Sequence, residues 1–126
     1  MTRCPVIRGP TVQTTDIGNR AETAACRYLE AQGFRILDRN WKLHKVCEID
    51  IIADRGGTLY FVEVKYRRTT TAGSGLEYIT PDKLRRMRIA AIRWASEHRR
   101  YGGYELAAIE VGGPQFTVET FVDSID

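Results

Sequence analysis

The stretch Cys47-Glu48-Ile49-Asp50-Ile51-Ile52-Ala53-Asp54-Arg55-Gly56-Gly57-Thr58-Leu59-Tyr60-Phe61-Val62-Glu63-Val64-Lys65 decides the fold. Two apolar, β-branched runs, Val46 to Ala53 and Thr58 to Tyr66, flank a Gly-Gly pair that tolerates positive φ, which predicts a hairpin with a two-residue loop. With Gly56 and Gly57 as the loop, Arg55 opposes Thr58. Counting back then sets Asp50 opposite Glu63 and Glu48 opposite Lys65. The period of two along a strand puts Glu48 with Asp50, and Glu63 with Lys65, on one face.

Two opposed carboxylates about 5 Å apart repel by roughly 3 kcal/mol at an effective dielectric near 20, so the pair needs a reason. A divalent cation between them supplies one. Oxygen ligands suit Mg²⁺ or Mn²⁺, which keep waters that phosphate oxygens can replace. The nearby lysine would position or deprotonate an attacking water. The plain alternative is an exposed charged face on which Lys65 neutralises both acids. Ile49, Ile51, Ile52, Phe61, Val62 and Val64 weigh against it, because they make both strands apolar enough to be central.

Outward from the hairpin, the periodicity changes. Ala21, Ala25, Tyr28 and Leu29 recur at helical spacing between Ile17 and Gln32, with Thr15 or Asp16 as N-cap and Gly33 as the stop. Phe34 to Leu37 reads as a short strand. After a Thr- and Gly-rich loop from Arg68 to Gly75, Thr80-Pro81 opens a second helix that runs to Glu97 and buries Leu84, Met87, Ala91, Trp94 and Ala95. Two strands, Tyr104 to Val111 and Gln115 to Val122, close the chain around Gly112-Gly113-Pro114. Helix, three strands, helix, two strands is an α/β order, and it predicts a central mixed five-stranded sheet flanked by helices.

At 126 residues and 43% hydrophobic content, one core is the expectation. We expect residues 1–15 to form a flexible tail and 16–126 a single domain. The first sixteen residues hold Arg3, Pro5, Arg8, Gly9 and Pro10 and no apolar core, unlike a signal peptide or membrane anchor. Cys4, Cys26 and Cys47 are odd in number and widely spaced, which argues against a disulfide framework or zinc site and fits a cytoplasmic protein. His44 and His98 lack ligand spacing. The net charge is only +3, yet residues 65–100 hold ten of the nineteen Lys and Arg against three acids. From Tyr101 onward there are five acids and no Lys or Arg. A basic middle beside an acidic hairpin suits a nucleic-acid enzyme, in which cations hold the backbone and carboxylates hold a metal at the scissile phosphate. A solvated helix face would look the same in charge alone.

Ile17-Gly18-Asn19-Arg20-Ala21-Glu22, then Tyr28-Leu29, Gly33-Phe34, Ile36-Leu37, Asn40, Glu48-Ile49-Asp50, Phe61-Val62-Glu63-Val64-Lys65-Tyr66-Arg67 and Lys83 follow one another in an order that resembles the bacterial YraN family of uncharacterised proteins. That family resembles the restriction-endonuclease-like superfamily, whose PD-(D/E)xK motif places an Asp on one strand and Glu-x-Lys on its antiparallel neighbour. The resemblance implies a Holliday-junction-resolvase-like core with Asp50 and Glu63 as metal ligands and Lys65 as the catalytic lysine. It adds the backbone oxygen of Val64 and the carboxylate of Glu22 as further ligands, with Glu48 in support. A Glu in a first helical turn is also what the helix dipole favours, so Glu22 keeps a purely structural alternative. Two departures stand out. Cys47 replaces the family's usual Gly before Glu-Ile-Asp, and Glu105-Leu106-Ala107 stands where Arg-Phe-Asp is common.

Together these features make a Mg²⁺- or Mn²⁺-dependent phosphodiesterase for structured or branched DNA or RNA the leading expectation. Arg67, Arg68, Lys83, Arg85 and Arg86 are the candidate backbone contacts, reading shape rather than sequence. A symmetric junction would call for a homodimer. Two alternatives stay open: a non-catalytic nucleic-acid-binding module with the same fold, and a protein-interaction scaffold whose basic helix docks an acidic partner.

Overall fold

A computed structural model describes residues 13–68 and 76–126. Helix α1 spans Gln13–Ala31, strands β1, β2 and β3 span Arg35–Leu43, Cys47–Arg55 and Thr58–Arg67, helix α2 spans Pro81–Glu97, and strands β4 and β5 span Tyr104–Gly112 and Thr117–Val122. The sheet order is β1-β2-β3-β4-β5. All neighbours are antiparallel except β3 and β4, whose parallel pairing from Leu59↔Tyr104 to Arg67↔Gly112 requires the crossover that α2 provides. The expected α/β fold is therefore present, a mixed five-stranded sheet with one helix on each face, consistent with a restriction-endonuclease-like fold.

Each helix buries one stripe against one face. Ala21, Ala25, Cys26 and Leu29 of α1 pack on Ile51, Ala53, Val62, Ala107, Ile109 and Val111. Met87, Ala90, Ala91 and Trp94 of α2 pack on Ile49, Ile52, Leu59, Phe61 and Leu106. Thr80 caps α2, its hydroxyl accepting from the Lys83 N–H at 3.1 Å, with Pro81 following. The β2–β3 turn has Gly56 at φ 62° and Gly57 at φ 87°, with Arg55 opposite Thr58 as the sequence predicts.

Several boundaries move. Helix α1 begins at Gln13, so Thr15 and Asp16 lie inside it rather than capping it, and the expected boundary after residue 15 falls within the helix. Residues 1–12, where the tail was expected, lie outside the described residues, as do 69–75 of the Thr- and Gly-rich loop. Strand β1 runs on to Leu43 instead of stopping at Leu37. Its register shifts between Ile36 and Asp38, and Asn40 adopts φ 51°, so its alternation is broken twice and a period-two template misses it. Trp41 and Leu43 then face α2, which assigns Trp41 to packing.

The broken alternation matters for β2 as well. Ile49 packs with α2 whereas Ile51, two positions on, packs with α1. The reversal falls at Asp50. Opposite it, between the pairs Arg39↔Ile51 and Trp41↔Ile49, lies Asn40. Glu48 and Asp50 therefore do not share a regular strand face.

Candidate active site

The β2–β3 ladder runs from Arg55↔Thr58 to Ile51↔Val62 and stops one pair short of Asp50 and Glu63. The counted register is thus right up to the site and ends there. The reason is local: the Val64 N–H, which would otherwise serve the ladder, donates to Asp50 Oδ2 at 2.8 Å. Beyond that point β2 stays paired with β1 alone, Lys42↔Glu48 and Leu43↔Cys47, so the expected pairing of Glu48 with Lys65 does not form. The strands part where the acids are, and a space between two carboxylates results.

Glu63 keeps only 15% of its side-chain surface exposed and meets Lys83 Nζ at 3.2 Å. Lys83 reaches it from the first turn of α2, as the third residue after the Thr80 cap. Lys65 is exposed and its ammonium lies 5.6 Å from the centre of the Tyr78 ring, within electrostatic reach of Glu63. From α1, Glu22 enters with its side chain 14% exposed, bonded by Asn40 and 3.5 Å from the guanidinium of Arg39, which is itself 9% exposed. The Arg39–Glu22 contact is an ion pair and not a hydrogen bond, and Glu22 Oε1 and the three guanidinium nitrogens are buried without a hydrogen-bond partner.

Burial sets the electrostatics. It drives the Asp50 carboxyl up to about 8, with repulsion from Glu63 adding to the rise, while the Val64 N–H pulls the other way. Glu63 is raised by burial too, against the pull of Lys83. Glu22 is raised for the same reason, partly offset by Asn40 and Arg39. Three carboxylates that would rather be neutral share one region of the molecule. A carboxylate of that kind gains from a cation more than a solvated one does.

The residues fit a divalent ion in donor type, since Asp50 and Glu63 act on one another and Glu22 carries a buried oxygen that accepts no hydrogen bond. Among the described residues no three His, Cys, Asp or Glu side chains stand close enough together to form a ready-made metal cluster.

The UPF0102 uncharacterised protein family matches residues 21–111. The chain belongs to the UPF0102 family. A UPF0102 protein of Vibrio campbellii is 48% identical over 84 residues, 67% of this chain and 68% of that one. One from Rhodococcus opacus is 39% identical over 112 residues, 86% and 94% of the two chains. One from Myxococcus xanthus is 34% identical over 122 residues, 94% and 96%. The structure of Pyrococcus furiosus SfsA in complex with Ca²⁺ matches with a TM-score of 0.30 at 15% identity over 86% of this chain and 61% of that one, too loose a likeness to bear on chemistry.

In this UPF0102 chain the expected backbone contacts are mostly engaged within the protein. Arg67 pairs with Glu110 at 3.1 Å and lies over the Tyr78 ring, and Arg85 and Arg86 both pair with Asp82 at 2.6 Å. Arg68 is exposed at the end of β3. Of the two departures from the family pattern, Leu106 and Ala107 are core residues and Glu105 accepts from Ser124, whereas Cys47 is partly buried beside the acids. Its thiol is pushed up chiefly by burial, with Lys83, Glu63, Arg86 and Asp50 all acting on it. Sequence reading missed Arg39, Tyr78 and Lys83's true partner. Asn40, a poor strand former inside β1, was the signal for the break beside Glu22. Among the described residues no helix is long and apolar enough to cross a membrane.

Proposed function

We propose that this protein is a Mg²⁺- or Mn²⁺-dependent nuclease acting on structured or branched nucleic acid. The observation that carries the reading is the convergence of the Asp50 and Glu63 side chains where the β2–β3 ladder gives way, with Lys65 two residues beyond Glu63. Asp50 and Glu63 would hold the ion, assisted by the Glu22 carboxylate and the Val64 carbonyl. When bound, the ion supplies positive charge to the phosphate oxygens and makes water more acidic. Asp50 is held in place by the Val64 N–H, so one of its oxygens stays directed by the backbone. Lys65, with its ammonium near the Tyr78 ring, orients the attacking water and offsets charge on the phosphate. Lys83 trades Glu63 for a phosphate oxygen, and Arg68, Arg85 and Arg86 take backbone contacts further out. Glu48 supports the site by charge. The reading includes a cytoplasmic location and a homodimer on symmetric junctions.

The Lys83–Glu63 pair also favours a second reading, a nucleic-acid-binding module in which lysine permanently replaces the ion. One assay separates them. Labelled single strands, duplexes, flaps and four-way junctions are incubated with Mg²⁺, Mn²⁺ or EDTA and with wild type, Asp50→Ala and Lys65→Ala proteins. The nuclease reading expects metal-dependent cleavage that both variants lose. Cleavage undiminished in both would sink the site. Tight binding without cleavage, indifferent to metal, establishes the binding module, and no affinity even at low salt leaves the protein-interaction scaffold.

A further inference from the structure

We propose that the β1–β2 hairpin tip is a second phosphate-binding site, through which a nucleic-acid strand leaves the acidic centre. The proposal rests on the nucleic-acid reading above and assigns it contacts that the basic stretch after residue 65 does not contain. A groove of about 500 Å³ is lined by Lys42, His44, Lys45, Cys47, Glu48 and Arg86. Glu48 is its only acid. Lys42 stands directly opposite Glu48 in the ladder, yet among the described residues neither Lys42 nor Lys45 forms an ion pair. They differ in this from Lys83, Arg85 and Arg86, whose charges are already answered by Glu63 and Asp82. Cations without internal partners are those that can displace the counterions of a polyanion at no cost in broken pairs.

Backbone geometry points the same way. The three-residue loop from 44 to 46 closes with the Val46 N–H donating to the Leu43 carbonyl at 2.9 Å and puts Lys45 at φ 61°. Hairpins usually place Gly or Asn at such a position, and a lysine there is an outlier that lifts a charge at the tip. The groove also adjoins the acids. Cys47 lines it and lies within electrostatic reach of Glu63, Asp50 and Lys83. From Lys45 at the tip to Asp50 is five residues, on the order of 17 Å along extended chain, or about five base-pair steps of 3.4 Å along a duplex axis. A single strand or one arm of a branched substrate, with its scissile phosphate at the acids, would reach the hairpin tip within that distance.

The test is the salt dependence of binding to labelled single strands and four-way junctions, followed by fluorescence anisotropy in EDTA so that nothing is cut. Lys42→Gln combined with Lys45→Asn removes both charges, and Asn tolerates the left-handed backbone at the tip. We expect the plot of log affinity against log salt to become shallower by about 1.4 to 1.8, the value for two lost phosphate contacts. The control, Arg27→Ala with Arg99→Asn, removes two exposed charges elsewhere, keeps a residue that tolerates the φ of 55° at position 99, and should leave the slope within about 0.3 of wild type. Should the double variant fail to fold, Lys42→Gln alone sits on regular backbone and should shift the slope by about 0.7 to 0.9. A wild-type slope in the hairpin variant, or an equal drop in the control, overturns this site while the nuclease reading stands. No binding by wild type at the lowest salt overturns both.

Discussion

Asp50 and Asp54 lie four residues apart on β2, and the molecule treats them in opposite ways. At the turn end of the hairpin, Asp54 accepts from Arg35 Nε at 3.2 Å and Nη2 at 2.8 Å and from Arg100 Nη2 at 2.8 Å. Its carboxyl is held below the usual range, first by the Arg35 hydrogen bonds and then, against some burial, by Arg100. At the open end, Asp50 receives one N–H and faces Glu63, Glu22 and Glu48, and its carboxyl is pushed up to about 8. The first acid ties the start of β1 and the segment that follows α2 to the sheet. The second leaves charge demand unmet. A fold that answers one buried carboxylate with two arginines at one end of the strand leaves Asp50, at the other, with no ion pair among the described residues and beside two acids that hold one cation each, which is why the open end reads as a site.

The largest effect should separate the two acids by activity. Asp50→Ala removes a ligand and the group held by Val64, and metal-dependent cleavage is expected to fall by about a thousandfold or more. Asp54→Ala should leave the rate per folded molecule within about threefold of wild type. Single-turnover cleavage of a four-way junction, normalised to folded protein by circular dichroism, checks both. Equal losses would erase the distinction between a working acid and a structural one.

Stability against pH should separate them next, with opposite signs. Between about pH 4 and 8 the unfolded chain has ionised Asp50 while the folded protein still keeps it protonated, so the folded state binds the extra proton and loses stability as pH rises. Asp50→Asn keeps an acceptor for the Val64 N–H and abolishes that loss. In metal-free protein it should match wild type near pH 4 and exceed it by about 2 kcal/mol at pH 8, or roughly 6–10 °C in Tm, because water at the partly exposed site trims the full linkage. Adding Mn²⁺ at pH 8 should close the gap by raising wild type alone. Asp54 works the other way. Its folded carboxyl titrates below the ordinary value of 3.8, so its contribution is present above that pH and fades below it. Asp54→Asn should therefore cost about 1–2 kcal/mol at pH 7 and progressively less as pH falls below 3.8. Thermal melts across pH give both curves, and a parallel response of the two variants would contradict the contrast.

The sequence made one end of this comparison legible and hid the other. The Gly56-Gly57 turn and the alternating apolar runs predict the register from Arg55↔Thr58 to Ile51↔Val62, because turn chemistry and the period of two are local. They also bring Asp50 and Glu63 together. What they cannot convey is that a side chain takes over a ladder hydrogen bond at Asp50, ending the pairing and reversing the strand face, so Glu48 never meets Lys65. Asp54 drew no notice, because its partners are 19 and 46 residues away and no periodicity links them. Lys83 was legible as a basic residue on a capped helix, and its position against Glu63 arises only when α2 crosses from β3 to β4. Long-range charge pairing leaves no repeat in a sequence, whereas a turn does.

Lys83 offers the smallest and sharpest probe of the comparison, since it is the open end's incomplete counterpart of Arg35 and Arg100. Its side chain is 34% exposed and serves Glu63 alone among the acids, whereas Asp54 has two arginines. Removing it with Lys83→Met should raise Glu63 further and leave Asp50 and Glu63 as a pair with no cation between them but an added one. Two effects then compete. A more basic Glu63 binds protons against metal, but at pH 8.5 that competition is small, and the loss of a positive charge a few Å from the ion is worth about 1 kcal/mol after screening by the open solvent on one side. Mn²⁺ affinity measured calorimetrically at pH 8.5 should therefore rise by about three- to tenfold in Lys83→Met. Cleavage at saturating metal should meanwhile fall, because the lysine no longer reaches a phosphate oxygen. If Lys83 were instead a permanent ligand of Glu63, as Arg100 is of Asp54, its removal would destabilise the fold by about 1–2 kcal/mol and leave metal affinity unchanged. The calorimetric outcome thus decides whether the open end holds its cation on loan or for good.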